Sequence, residues 1–201
     1  TNQLEDEVRR TGYVRIAGVD EAGRGCLFGP VFAAAVILDP DRPLRGLADS
    51  KTLACERRAE LAMLIRERAL AWAVAAATAA EIDQINILQA SRLAMRRAVE
   101  ALNPPCDYLL VDAITVDWPV PQQALIKGDA RVRAIAAASI LAKVGRDEYI
   151  DQLDERYPGY GLIRHKGYPT PEHREALLRL GPSDLHRRSY APVLLALQRT
   201  L

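Results

Sequence analysis

YVRIAGVDEAGRGCLFGPVFAAAVIL, residues 13–38, carries the pattern on which the fold turns. YVRIAGV (13–19) is a short β-type run, and PVFAAAVIL (30–38) is an apolar run that opens on Pro and reads as a buried strand. Between them, DEAGRGCLFGP (20–30) reads as a Gly-rich loop that begins with two acids. Downstream, residues 53–69 place Leu53, Leu61, Leu64 and Ile65 at helical spacing. LAWAVAAAT (70–78) lies between two helical patterns and is read as a strand, although Ala propensity argues for helix. Residues 86–102 form a second helix, stopped by Asn103-Pro104-Pro105. DYLLVDA (107–113) is a strand, and PVPQQALIKGD (119–129) is a turn followed by a short strand. Residues 130–156 carry a long helical pattern that ends at Tyr157-Pro158-Gly159. Upstream, residues 1–12 are polar and suggest at most one helical turn. Strands interleaved with helices predict an α/β sheet domain over 1–156. Residues 157–201, with short helices at 171–180 and 191–200, read as a helical C-terminal extension.

Composition sets the outer limits. A chain of 201 residues with 49% hydrophobic and 26% charged residues builds one core without staples. No apolar run approaches the ~20 residues of a membrane span. The opening TNQLEDEVRR is polar and mixed in charge, unlike a secretory signal, so a cytoplasmic location is expected. Three widely spaced cysteines, Cys26, Cys55 and Cys106, suggest neither a disulfide framework nor a zinc motif. The net charge of +1 predicts no strong overall field. The 27 basic residues divide into 23 Arg and only 4 Lys, namely Lys51, Lys127, Lys143 and Lys166.

The acids at strand ends attract attention first. Asp20 and Glu21 follow one strand and Asp112 ends another. Buried carboxylates are costly unless they are paired or bound to metal. Ligands of open α/β sheets gather at the carboxyl ends of strands. Were these strands parallel neighbours, their backbones would lie ~4.8 Å apart and their carboxylates could share hard cations. Any one of these acids alone is more simply a turn residue or a helix cap. On the long helix, Ser139, Lys143 and Asp147 recur at i, i+4 and i+8 on one polar stripe. That stripe suits phosphate and metal, or equally a solvated face with an ordinary ion pair.

Gly23-Arg24-Gly25 combines close backbone approach with a planar charged fork. Gly18 to Gly23 has Walker spacing, but Arg24 and Gly25 follow where Lys and Ser or Thr are needed, which excludes a P-loop. Residues 164–190 hold six Arg or Lys, three His and the nearby Tyr160, Tyr168 and Tyr190. Such a segment suits nucleic-acid backbone contact, or a helical cap whose rings pack inward. His165 and His173 do not have zinc spacing. No G-x-S-x-G elbow marks a Ser nucleophile.

Taken together, DEAGRG (20–25), DSK (49–51), NIL-x-A-x-x-LAM (86–95), VDA (111–113), KGD (127–129), AAASILAKVGRD (136–147) and HKGYPT (165–170) resemble the bacterial ribonuclease HII family from about residue 13 to 192. The four lysines sit in four of these motifs. The resemblance implies a ribonuclease H-like fold: a mixed five-stranded sheet flanked by helices, with a helical C-terminal extension. It implies a metal-dependent endonuclease that cuts RNA in RNA–DNA hybrids and single ribonucleotides in duplex DNA, leaving 3′-hydroxyl and 5′-phosphate ends. Asp20, Glu21, Asp112 and Asp147 match the acids that hold Mg2+ or Mn2+, with two ions ~3.5–4 Å apart clamping the phosphate. Gly23, Arg24 and Gly25 match the loop that reads the ribose 2′-hydroxyl. Ser139 and Lys143 match phosphate contacts, and Tyr168 matches a tyrosine that packs on the next deoxyribose. Cys26 and Phe28 stand where the family usually has Pro and a small residue, and Ala113 where Gly is common. With LLALQRTL (194–201) lacking the paired aromatics of a sliding-clamp tail and only twelve residues ahead of the resemblance, neither such a tail nor an extra N-terminal domain is expected. A monomer without membrane partners is expected. Another ribonuclease H-like phosphotransferase, a junction resolvase or integrase core, is the alternative.

Overall fold

The computed structural model describes residues 3–47 and 52–200. The Asp49-Ser50-Lys51 motif lies outside the described residues. Five strands form one sheet: β1 (Ile16–Ala22), β2 (Val31–Ile37), β3 (Ala71–Ala77), β4 (Tyr108–Asp112) and β5 (Gln122–Leu125), in the order β3-β2-β1-β4-β5. β2 pairs antiparallel with both β1 and β3, whereas β4 pairs parallel with β1 and β5, so the sheet is mixed. The Ala-rich 71–77 segment is thus a strand: its Ala side chains fill the close space beside β2 and helix propensity is overridden.

Seven α-helices and a short 3-10 helix (Gly128–Ala130) complete the described chain: α1 (Gln3–Arg10), α2 (Cys55–Arg68), α3 (Ala79–Glu100), α4 (Arg133–Asp154), α5 (Leu162–His165), α6 (Pro171–Leu180) and α7 (Ala191–Thr200). None is long and apolar enough to cross a membrane among the described residues. Alternation along β2 explains the two layers. Val31, Ala33, Ala35 and Ile37 face α3, through Ile82, Ala90, Ala94 and Met95. Ala34 and Val36 face α4 and α2, through Ala137, Ala138, Leu141, Leu61 and Ile65. Small residues on both sides bring α4 very close to β1. A Cβ on Gly18 would fall 2.0 Å from the Ala134 carbonyl carbon.

Three expectations about element boundaries need correction. α3 begins at Ala79, seven residues before the expected start, under a capping box of Thr78 and Glu81. Asn86, at φ 66°, breaks it, and its side-chain oxygen recaps the second part by accepting from the Leu88 and Gln89 amides. The N-terminal segment is a full helix, not one turn. Its buried Glu5 accepts from the Ala134 amide at 2.7 Å and so caps α4, whose own N-cap Val132 has no oxygen to offer. Finally, Asp20 and Glu21 lie inside β1 and not after it, because pairing with β2 continues through Ala22↔Phe32.

Residues 157–200 fold onto the loop that follows β1. The Leu27 amide donates to Gly167, Gly29 to Leu185, and Arg187 to Leu27. Phe28 is fully buried, edge-on to Tyr157 and His186. Large and apolar, it locks this loop to the C-terminal helices.

Candidate functional site

The parallel register of β1 and β4 aligns Val19 with Val111. Their next residues, Asp20 and Asp112, therefore emerge side by side at the carboxyl ends of adjacent strands. Asp20 is buried and takes a hydrogen bond from the Ser139 hydroxyl of α4. Burial first, then the Glu21 and Asp112 charges, hold its carboxyl well above the usual range. Burial likewise raises Glu21, against the opposing pull of Arg24. One Glu21 oxygen meets the Arg24 guanidinium at 3.2 Å, while Oε2 is buried with no hydrogen-bond partner. Asp112 Oδ1 accepts from the Gly128 amide at 2.7 Å.

These acids line a cleft of about 430 Å3 together with Gly23, Arg24, Gly25, Ser139, Lys143 and Tyr168. Asp147 is the exception. It sits one turn beyond Lys143 at the border of the cleft, paired with that ammonium at 2.7 Å and close enough for its charge to act on Tyr168. Among the described residues, no three His, Cys, Asp or Glu side chains form a ready-made cage for an ion. One oxygen of each acid is turned to a local donor, while Glu21 Oε2 is left without a hydrogen-bond partner.

The Gly-Arg-Gly loop has a backbone-level explanation. Gly23 has φ +92°, and a Cβ there would strike Arg146 Nε at 2.1 Å. A Cβ on Gly25 would meet nothing within 4 Å, so that backbone is open to a ligand. Ala113 has φ 58°, a left-handed conformation that explains why Gly is common at this position in the family it resembles.

Two fully buried arginines brace the loop, and the sequence reading missed both. Arg146 donates to the carbonyls of Pro30, Phe28 and Lys166. Arg187 donates to those of Gly29 and Arg24. Arg146 lies within the AAASILAKVGRD motif, seven residues beyond Ser139 and three beyond Lys143, so it falls on the same helical stripe. That spacing was the signal that could have found it. Arg58 of α2 also lines the cleft and was not anticipated.

The three tyrosines take different roles. Tyr160 and Tyr190 pack inward, their hydroxyls donating to Gly181 and Arg24 carbonyls at 2.6 Å. Tyr168 faces the cleft, with its ring 5.3 Å from Lys143 Nζ and 5.8 Å from the Arg146 guanidinium carbon. Beneath Tyr168 lie His165, His173 and His186, all buried. Burial pushes His173 down to about 4 and His186 to about 3, so both are neutral near pH 7.

A base whose pKa is depressed on folding stabilises the fold fully only above its unfolded value, and that contribution fades as pH falls toward the folded value. Between pH 7 and pH 5 the wild type is therefore expected to lose about 2 kcal/mol more stability than a His173→Asn variant. Urea denaturation at the two pH values measures the difference.

Comparison with known proteins agrees with this geometry. The Ribonuclease HII family matches residues 17–193. A ribonuclease HII from Solibacter usitatus is 60% identical over 190 residues, covering 94% of this chain and 83% of that protein. Among solved structures, the ribonuclease H2 of Pyrococcus horikoshii OT3 superposes with a TM-score of 0.76 at 26% identity, covering 92% of this chain and 98% of that one. The ribonuclease HII of Archaeoglobus fulgidus, solved in complex with PCNA, gives 0.74 at 29% identity, covering 88% and 95%. The chain belongs to the ribonuclease HII family and is a ribonuclease H hydrolase.

Proposed function

We propose that this cleft hydrolyses the RNA strand of RNA–DNA hybrids and also cuts at single ribonucleotides embedded in duplex DNA, leaving 3′-hydroxyl and 5′-phosphate ends. One juxtaposition carries the reading: buried Asp20 and Asp112 stand side by side in a cleft shared with an open glycine backbone and Tyr168. Asp20, Glu21, Asp112 and Asp147 would hold divalent cations, Mg2+ or Mn2+. The donors fit such ions: all are hard oxygens, Asp20 is crowded by two other acids, and Glu21 Oε2 lacks any partner. When bound, these cations neutralise phosphate charge and lower the pKa of a water.

The chain's own residues supply position and selectivity. Gly23 and Gly25 let the backbone reach the 2′-hydroxyl, the one group that distinguishes ribose from deoxyribose. Arg24 offers its fork to phosphate. Ser139 and Lys143 face the same phosphate from α4; Lys143 is released for it when Asp147 exchanges its ion pair. Tyr168 packs on the deoxyribose beyond the ribonucleotide. Residues 1–156 form the catalytic unit, and 157–201 are the extension that brings Tyr168. The enzyme acts as a cytoplasmic monomer.

The test is cleavage of a duplex carrying one ribonucleotide, with Mg2+ or Mn2+ supplied. Cleavage confined to all-DNA branched substrates would overturn the proposal. Tyr168→Ala is expected to lower cutting at the isolated ribonucleotide relative to a continuous hybrid by roughly tenfold, the scale of one packed aromatic contact. Equal loss on both substrates would remove Tyr168 from junction reading.

A further inference from the structure

We infer that His173 is a positioning residue for Tyr168, acting through a hydrogen bond whose direction is dictated by a relay of buried imidazoles. The inference rests on the proposed role of Tyr168 and adds the device that holds it. The relay begins at Ser183, whose amide donates to His186 Nδ1 at 3.0 Å and whose hydroxyl, 2.8 Å away, can donate to the same nitrogen. That nitrogen therefore carries no proton, and a neutral imidazole must carry its proton on the other. His186 Nε2–H then points at His173 Nε2, 3.2 Å away. His173 Nε2 can only accept, so its own proton sits on Nδ1. From there it donates to the Tyr168 carbonyl at 2.9 Å.

The opposite arrangement fails at both ends. Its middle bond, from His173 Nε2–H to a bare His186 Nε2, could form, but it leaves the His173 Nδ1 lone pair against the Tyr168 carbonyl oxygen. At the other end a proton on His186 Nδ1 would find the Ser183 hydroxyl but would face the Ser183 amide hydrogen. His165 stacks on His173 with ring centroids 4.4 Å apart, and its tautomer is also set by the backbone. The Gly167 amide donates to His165 Nδ1 at 3.2 Å, so Nε2–H donates to the Tyr160 carbonyl at 2.8 Å.

The consequence for Tyr168 is that both of its backbone polar groups are held. Its amide donates to the His165 carbonyl, and its carbonyl receives the Thr170 amide as well as His173. All three imidazoles are at least 93% buried, where an unmade hydrogen bond is expensive. The ring of Tyr168 remains at the cleft because its backbone cannot turn.

Two substitutions separate the nitrogens of His173. His173→Asn places an amide donor where Nδ1–H was and keeps the bond to Tyr168. His173→Gln keeps a polar atom near His186 and loses that bond. The measured quantity is the rate at a single embedded ribonucleotide divided by the rate on a continuous hybrid. His173→Asn is expected to keep this ratio, and His173→Gln to lower it about five- to tenfold, as Tyr168→Ala does. Equal ratios in the two variants would overturn the inference. If Tyr168→Ala itself leaves the ratio unchanged, the proposed role of Tyr168 fails instead. Should the variants not fold, nitrogen-15 NMR of the wild-type imidazoles decides. Protons on His173 Nδ1 and His186 Nε2 support the relay; the reverse tautomers, or a charged ring at pH 7, refute it.

Discussion

Asp20→Asn is expected to abolish cleavage while leaving the metal-free protein as stable as the wild type or more so. Asp20 is buried between two other acids and takes hydrogen bonds from Ser139 and the Glu21 amide. Replacing it by a neutral isostere removes the central charge of a repelling set, keeps an oxygen for the Glu21 amide, and offers an NH2 that the Ser139 hydroxyl can accept from. The fold thus gives up stability at this position to keep a charged site. Activity should fall by on the order of 10²–10³ or more, because electrostatic stabilisation of the transferring phosphate is what the site provides. Calorimetry supplies an independent readout. Adding Mg2+ or Mn2+ should raise the melting temperature of the wild type by mass action, and raise that of Asp20→Asn much less. Wild-type turnover in the variant, or equal metal stabilisation of both proteins, would remove Asp20 from the ligand set.

Gly18→Ala and Gly25→Ala should have opposite consequences although the chemical change is the same. The added methyl at Gly18 would lie 2.0 Å from the Ala134 carbonyl carbon and 2.3 Å from the Ile135 nitrogen. These are backbone atoms of the first turn of α4 and cannot rotate away. The helix must shift bodily, and it carries Ser139, Lys143 and Asp147. A loss of roughly 3–5 kcal/mol is expected, a large part of a typical domain's stability. At Gly25 the methyl meets nothing within 4 Å, so the melting temperature should hardly move. Ribonucleotide cleavage should nevertheless fall steeply, because the methyl occupies the approach of the sugar to the backbone. Denaturation curves and the embedded-ribonucleotide assay, run on both variants, check the pair. A stable Gly18→Ala protein, or an active Gly25→Ala protein, contradicts the corresponding half.

Much of this site was legible before any coordinates. Asp20, Glu21 and Asp112 stood out because charged residues at the ends of apolar runs are costly without a purpose. Gly23, Gly25, Ser139, Lys143 and Tyr168 followed from motif and spacing, and all line the cleft. Asp147 shows both readings of the stripe at once: helical periodicity put it beside Lys143, and the two form the ion pair that the spacing allows. Ambiguity at 71–77 also had a physical origin, since local propensity and strand pairing disagree there.

The sequence alone determined the alternation of strands and helices, the acids at the strand ends and the family motifs, because those depend on local period and residue type. Only the tertiary structure decided which buried groups work as partners. Arg146 and Arg187 reach loop carbonyls more than 110 residues away in the chain. Glu5 caps a helix that begins 128 residues later. Gly18 is required because α4 happens to cross it, and the rings of His165, His173 and His186 are brought together although no motif spacing joins them. Such contacts leave no periodic trace in the chain: hydrogen-bond direction and van der Waals exclusion act at a few ångströms, whatever the separation in sequence.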